Sequence, residues 1–289
     1  MGTDMGNRKR PAHKIASGSG REGNPLISRM PAPARIASIY RYPVKGLTPE
    51  PLPQAALMPG QTLSADRRYA IENGPSGFDP AAPKWMPKPH FLMLMRDEWL
   101  AGLRTHFDDA SHVLTIRRRN GEIAAQGNLE AAEGRAAIEN FFARAFANEI
   151  KGPPKLLSSE GHSFSDVAKK VVSIINLASL RAIENMVGYP VHPLRFRANL
   201  YVEGWPAWHE FDLVERTLSI GGVKVKVVKR IVRCAAVNVD PETAERDLAI
   251  PQALQRRLGH GDCGIYAEVI AGGTIAVGDS IAAEQPQLL

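Results

Sequence analysis

Strand-length segments of alternating apolar and polar residues, separated by glycine and proline, dominate this sequence and limit the folds open to it. The clearest case is residues 217–228, where two alternating stretches flank Gly221-Gly222. A two-residue glycine turn between such stretches is typical of a β-hairpin. Further strands are predicted at residues 36–44, 57–71, 113–117, 171–175, 196–202, 266–270 and 273–281, the last two as a closing hairpin. Many short strands favour a mainly β protein of the α+β class.

Only a few segments have helical periodicity. Helices are predicted over residues 134–147, 178–186 and 252–258, with a shorter one at 97–103. The first is followed by Gly152-Pro153-Pro154, a strong helix stop, and we place a domain boundary there. The predicted organisation is a disordered basic tail (1–31), a β-barrel-like domain (32–152), a second β-barrel domain with peripheral helices (153–284) and a short tail (285–289).

Composition excludes several classes of protein. Residues 1–31 carry four of the six net positive charges, so the remainder has no basic stripe of the kind that binds nucleic acid. No apolar run reaches the ~20 residues that span a bilayer, and we expect no membrane partner. The two cysteines form no CxxC pair, which argues against an iron–sulfur or zinc site built by this chain. A reducing, cytoplasmic location is expected.

Cys234 follows a strand-like run that contains Lys229, Arg230 and Arg233. Nearby cations favour the thiolate, which is the form that acts as nucleophile or metal ligand. A cysteine at the end of a strand can equally be a small buried hydrophobic residue, and both readings stay open on this evidence. Cys263 has no cations beside it, and we interpret it as a packing or loop thiol.

Three further segments could bind a small anion. Alternation along residues 195–199 predicts one strand face carrying Arg195, Arg197 and Asn199, which would suit a phosphate or a carboxylate. Lys45-Gly46 follows a predicted strand, and glycine there allows a ligand to approach the backbone closely. Asp66-Arg67 adds another cation. Each of these groups alone is more often a solvated surface charge.

Five short motifs occur in order along residues 34–283. They are Tyr42-Pro43-Val44-Lys45-Gly46, Asp66-Arg67 with Tyr69, Arg195-Phe196-Arg197-Ala198-Asn199, Arg233-Cys234 with Val239-Asp240-Pro241 and Thr243, and Gly273-Thr274-Ile275 with Val277-Gly278-Asp279. Together they resemble proteins with a MOSC domain, named for the C-terminus of molybdenum cofactor sulfurase, preceded by the MOSC N-terminal β-barrel domain. Bacterial MOSC-type and mitochondrial amidoxime-reducing-component-like molybdenum enzymes are of this kind.

The resemblance implies a molybdenum cofactor, Mo-molybdopterin, held between the two halves. It implies Cys234 as the catalytic thiolate and metal ligand, with Arg197 and Asn199 at the phosphate end of the cofactor. Lys45, Arg67 and Arg233 would contact the pterin or the phosphate. An association with pyridoxal phosphate also exists at the level of the family.

The implied activity is an oxidoreductase that reduces small N-hydroxylated or N-oxide compounds. Its electrons would come from a separate protein of the ferredoxin or flavin-reductase type. The alternative is a sulfur carrier or transferase that holds a persulfide on Cys234 for metal–sulfur cofactor assembly. A third possibility is a cofactor-binding or chaperone-like protein without turnover.

Overall fold

A closed barrel of seven strands lies at the centre of the protein. The computed structural model describes Met1 and residues 34–284, so the predicted tails, apart from Met1, lie outside the described residues. The strands are β1 (Ala34–Arg41), β2 (Glu50–Leu52), β3 (Gln54–Leu57), β4 (Ala70–Asn73), β5 (Arg104–Asp108), β6 (Val113–Arg117), β7 (Ile123–Asn128), β8 (Pro154–Leu157), β9 (Val172–Asn176), β10 (Leu200–Glu203), β11 (Thr217–Ile220), β12 (Val223–Val232), β13 (Asp262–Ala271), β14 (Gly273–Ala276) and β15 (Ser280–Ala283). The helices are α1 (Ala132–Ala145), α2 (Leu177–Val187) and α3 (Ile250–Leu258).

The barrel order is β10-β9-β13-β12-β11-β15-β1, and β1 pairs back with β10, so no edge is left among these seven strands. Strand β2 extends the sheet beyond β1. The prediction of a mainly β fold with peripheral helices is confirmed. Strand β1 comes from the first half of the chain and completes a barrel built otherwise from the second half. The domain boundary at residue 152 stays a prediction.

The β11–β12 hairpin shows why this sequence forms strands. Gly221 has a φ of 56°, and with Gly222 it makes the predicted two-residue turn. Leu218 and Ile220 face the barrel interior, as do Val223, Val225 and Val227, whereas Lys224 is exposed. Period-two alternation therefore places one face in the core and the other in solvent.

A second apolar core lies between helix α1 and the antiparallel β5-β6-β7 sheet. Helix α1 buries Ile138 and Phe142 against Leu114 and Ile116 of β6. Strands β4 and β8 form a separate antiparallel pair beside this layer. These elements, which follow β1 in the chain, form a first-half body that adjoins the barrel end.

Three predicted strands differ in the structure. The segment 57–71 is two strands, because β3 ends at Leu57 and β4 begins at Ala70. Residues 193–196 form a 3₁₀ turn that starts at a proline and is capped by the side chain of His192. Residues 266–270 and 273–281 do not form the predicted hairpin, since β13 pairs with β9 and β12, β14 pairs with β3, and β15 pairs with β1 and β11. Strands β2, β5, β7 and β8 were not predicted.

Helices α2 and α3 pack against each other outside the barrel. Helix α2 ends at Gly188, whose left-handed conformation (φ 78°) is the usual glycine stop. Both helices lie close to their predicted positions. Within residues 34–284, none of the helices has the length and apolar character needed to cross a bilayer.

Candidate functional site

A cavity of about 310 Å³ opens where the end of the barrel meets the first-half body. All six residues predicted to form the site lie in its wall: Lys45, Arg67, Arg197, Asn199, Arg233 and Cys234. Among the described residues that line it, eight are cationic (arginine or lysine) and two are acidic. A wall with this charge balance favours an anionic ligand.

Cys234 lies two residues after the end of β12 and is the N-cap of a short 3₁₀ helix, Ala235–Asn238. Its side chain is partly exposed rather than sealed in the core. Two of the cations adjacent in sequence are directed at aromatic rings: Arg230 lies 4.3 Å from the ring centre of Phe211, and Lys229 lies 6.0 Å from that of Tyr266. These two contacts weaken the sequence argument that neighbouring cations serve the thiol.

Arg233, the residue before Cys234, bonds to the backbone of two neighbouring segments. Its Nε donates to the carbonyl of Cys263 at 2.7 Å, and Nη1 donates to the carbonyl of Phe196 at 3.0 Å. Arg233 therefore ties β12 to β13 and to the 193–196 turn. Its predicted contact with a cofactor stays a prediction.

Lys88, a cation that no sequence pattern singled out, lines the same cavity as Cys234. Burial lowers the pKa of Lys88, but the attraction of Cys234 and Asp166 outweighs this, and the pKa is raised. Lys88 stands in a proline-rich loop far from Cys234 in sequence, so only the folded chain brings them together. The cavity that contains the thiol thus also contains an ammonium group that stays protonated at neutral pH.

Tyr42 lies between two guanidinium groups. Arg67 is 4.7 Å and Arg197 is 4.4 Å from its ring centre, and its hydroxyl donates to the carbonyl of Ala198 at 3.1 Å. Arg67 forms an ion pair with Asp66 at 2.5 Å and donates to the carbonyl of Arg197 at 3.0 Å. Burial opposes the charge on Arg67, but Asp66 raises its pKa.

Arg197 is compensated less well. Within residues 34–284 no carboxylate forms an ion pair with it, and its pKa falls to about 10 through burial and the repulsion of Arg67, despite the attraction of Tyr42 and Asp166. A partly buried cation without an ion-pair partner is costly. Guanidinium groups bind phosphate and carboxylate oxygens by paired hydrogen bonds. The group is therefore suited to a ligand oxyanion.

Lys45 and Asp166 form a second polar pair in the wall. The Lys45 ammonium donates to Asp166 at 2.5 Å and to the carbonyl of Phe164 at 2.9 Å. Burial lowers the pKa of Lys45 even with this partner. Burial would raise the pKa of the half-exposed Asp166, but Lys45, Lys88 and Arg67 hold it at about 2. Asp166 was not predicted as a site residue, because the sequence around it is basic.

Asn199 joins three strands at the barrel end. Its Oδ1 accepts from the backbone N–H and the hydroxyl of Ser173, at 3.1 and 2.8 Å, and its Nδ2 donates to the carbonyl of Tyr40 at 3.2 Å. These bonds fix the segment on which Arg197 stands. The predicted contact of Asn199 with a cofactor phosphate stays a prediction.

The predicted strand face bearing Arg195, Arg197 and Asn199 is wrong. Arg197 has a left-handed backbone (φ 51°) and ends the 193–196 turn, so the alternation is broken. Arg195 is 3% exposed and is neutralised by Asp240 and Asp247, each at 2.7 Å. Of the two arginines, only Arg197 lacks an ion-pair partner within residues 34–284.

Two small residues were also singled out by the sequence. Gly46 has a φ of 84°, and a Cβ there would lie 3.0 Å from the carbonyl oxygen of Leu92, so a side chain would be strained. Cys263 is fully buried, and burial raises the pKa of its thiol to about 12. Its interpretation as a packing residue is confirmed. In the described part of the chain, no group of three His, Cys, Asp or Glu side chains is placed to hold a metal ion.

Residues 159–282 match the family model of the MOSC domain. Molybdenum cofactor sulfurases of Caenorhabditis elegans and Caenorhabditis briggsae are each 36% identical to this chain over 84 residues, which is 28% of this chain and 12% of the sulfurase. The chain thus matches only a small part of the length of these relatives.

Among solved structures, the chain is similar to the YUAD protein from Bacillus subtilis. It is 13% identical, with 88% of this chain and 97% of that chain covered and a TM-score of 0.40. YiiM from Geobacillus stearothermophilus is 17% identical, with 39% and 54% covered and a TM-score of 0.33. The match to the family model identifies residues 159–282 of this chain as a MOSC domain.

Proposed function

We propose that the cavity binds the molybdenum cofactor and that the protein is an oxidoreductase acting on small N-hydroxylated or N-oxide compounds. One observation carries the first part: Arg197, which forms no ion pair within residues 34–284, lines the same cavity as the partly exposed thiol of Cys234. A ligand with a phosphate at one end and a thiol-binding metal at the other would satisfy both groups. The match to the MOSC domain supports the same ligand.

The residues present fit this cofactor. A volume of about 310 Å³ lies within the range of small-molecule sites, about 300–1,000 Å³. Arg197, with Arg67 and Lys45 nearby, would hold the phosphate, and Cys234 would supply the single protein thiolate to the metal. Asn199 and Arg233 would act through the backbone segments that they fix. A metal that is already bound by a pterin needs no protein ligand besides Cys234. The cavity wall agrees with this, because it contributes that thiol together with many cations.

When bound, the cofactor would supply the two-electron chemistry that reduces an N–O bond. The protein would contribute a protonated Lys88 beside Cys234, whose N–H groups can donate to an oxygen of the substrate. Met93, Leu94 and Met95 line the wall and would limit the access of water to the reacting groups. A separate donor protein of the ferredoxin or flavin-reductase type would deliver the electrons.

Reduction of a small N-hydroxylated compound by the purified protein, with dithionite-reduced viologen as electron donor, tests the activity. The wild type is expected to turn over, and Cys234→Ser is expected to lose turnover. Arg35→Met is the matched control, because Arg35 forms only an exposed ion pair with Glu203. If wild-type protein that contains molybdenum reduces no N–O compound, the oxidoreductase assignment is wrong while the cofactor site stands.

Sulfur transfer is the second candidate, favoured by the similarity to molybdenum cofactor sulfurases and by the accessibility of Cys234. The Cys234 thiolate would attack the terminal sulfur of a persulfide on a cysteine desulfurase. The donor cysteine would leave as a thiolate, so a persulfide forms on Cys234 without net oxidation. Mass spectrometry after incubation with a desulfurase and cysteine should then find one added sulfur on Cys234. An unmodified Cys234 rejects this candidate.

A further inference from the structure

A guanidinium fork joins two walls of the cavity beside Cys234. Nη2 of Arg246 donates to the carbonyls of Leu94 and Met95, at 3.0 and 2.9 Å, and Nη1 donates to the carbonyl of Ala235 at 3.1 Å. Leu94 and Met95 line the cavity from the first-half body. Ala235 is the residue immediately after Cys234. One side chain therefore connects the segment that carries the thiol to the segment opposite.

Glu98 holds the Arg246 guanidinium group from its other edge. Glu98 accepts from Nε of Arg246 at 3.2 Å and from Nη2 at 2.9 Å. Burial opposes the charge on Glu98, but backbone and Arg246 hydrogen bonds lower its pKa. All three guanidinium nitrogens thus have acceptors, which fixes the plane of the group.

The loop that carries Arg246 is also anchored internally. The buried Arg195 forms ion pairs with Asp240 and Asp247, which bracket the loop in sequence. Val239 and Arg246 are joined by an isolated β-bridge. These contacts hold the loop in place. Arg246 can therefore fix the position of the cavity wall to which it bonds.

The contacts of Arg246 lie at the partition between two cavities. Leu94 and Ala236 line the main cavity and also an adjoining, mostly apolar one of about 200 Å³. Arg246 bonds to Leu94 on one side and to Ala235, next to Ala236, on the other. Loss of the fork would let these two walls separate.

We infer that Arg246 is a positioning residue that holds the 94–95 segment against the Cys234 segment and so limits access to the thiol. The inference takes from the proposed function only that Cys234 is the reactive group, and it does not need the cofactor. A lysine at this position would keep the charge and a contact with Glu98. It cannot span three acceptor segments, because it lacks the planar fork.

Alkylation of cofactor-free protein by iodoacetamide at one fixed pH tests the inference. Because Cys263 is fully buried, its rate reports any global opening in the same sample. Arg246→Met is expected to raise the Cys234 rate roughly fivefold to tenfold, the size expected from loss of charge-assisted hydrogen bonds. Arg246→Lys should show a smaller increase, and the control Arg35→Met should show none.

The inference is overturned if folded Arg246→Met protein alkylates Cys234 at the wild-type rate. It is also overturned if Cys263 gains reactivity in parallel, because the effect is then global unfolding. Should Arg246→Met not fold, Glu98→Gln and Arg246→Lys give the same readout with a milder change. Failure of the proposed function would appear separately, as an absence of molybdenum from purified wild-type protein.

Discussion

Replacing Arg197 by methionine is expected to stabilise the cofactor-free protein while removing its affinity for anions. The pKa of Arg197 falls to about 10 on folding, well below its usual value. At 1.36 kcal/mol per pKa unit, the charged side chain costs the folded state about 3 kcal/mol. Methionine gives up the stacking on Tyr42, worth about 1–2 kcal/mol. The net gain in the free energy of unfolding is about 1–2 kcal/mol.

The effect of Arg197 on the free energy of unfolding depends on pH. At pH 7 the guanidinium is protonated in both the folded and unfolded states, so the cost is constant there. Because the folded-state pKa is depressed, the wild type should gain stability only as the pH rises above about 10, towards the usual pKa of arginine. The methionine variant should lack this gain, since it has no proton to lose.

Thermal unfolding at pH 7, with and without inorganic phosphate, is the assay. Without phosphate, Arg197→Met should melt roughly 3–6 °C above the wild type. Phosphate should raise the wild-type Tm through preferential binding to the folded state and leave the variant unchanged. The control Arg35→Met, at an exposed ion pair, should lie within about 0.5 kcal/mol of the wild type in both conditions. A variant that melts below the wild type without phosphate would refute the claim that the charge of Arg197 is poorly compensated.

Three further changes have defined outcomes. Glu210 is fully buried with a raised pKa, so wild-type stability should fall as pH rises above 4.5, and Glu210→Gln should flatten that slope in urea unfolding. A Cβ on Gly264 (φ 79°) would lie 2.5 Å from the carbonyl oxygen of Ile174, so Gly264→Ala should cost about 3 kcal/mol by the same measurement. Asp166→Asn removes the partner of Lys45 and should tighten phosphate binding roughly fivefold by calorimetry.

Local patterns predicted much of the secondary structure. The alternation around Gly221-Gly222 and the periodicity of α1, α2 and α3 are properties of neighbouring residues, and the structure confirms these elements. Closure of the barrel depends instead on β1 pairing with β10, which are far apart in sequence. No local signal specifies that pairing. The turn at residues 193–196 was not predicted, because its starting proline competes with a strand-like alternation in the residues that follow.

The candidate site was likewise only partly predictable from the sequence. The cavity brings together all six residues that the motifs suggested, although their roles stay predictions. The electrostatic partners were not visible, because Lys88 and Asp166 reach the cavity from loops remote from Cys234 and Lys45. The sequence also could not tell that Arg195 is neutralised while Arg197 is not. That difference arises from the fold around the 240–247 loop.

The decisive measurement is the molybdenum and pterin content of protein purified from a molybdenum-replete host. Wild-type protein should contain the metal and the pterin at about one per chain. Cys234→Ser should lose most of the metal, and Arg197→Met should lose both metal and pterin. Arg35→Met should match the wild type. Wild-type protein that carries neither molybdenum nor pterin would contradict the assignment of this cavity to the cofactor.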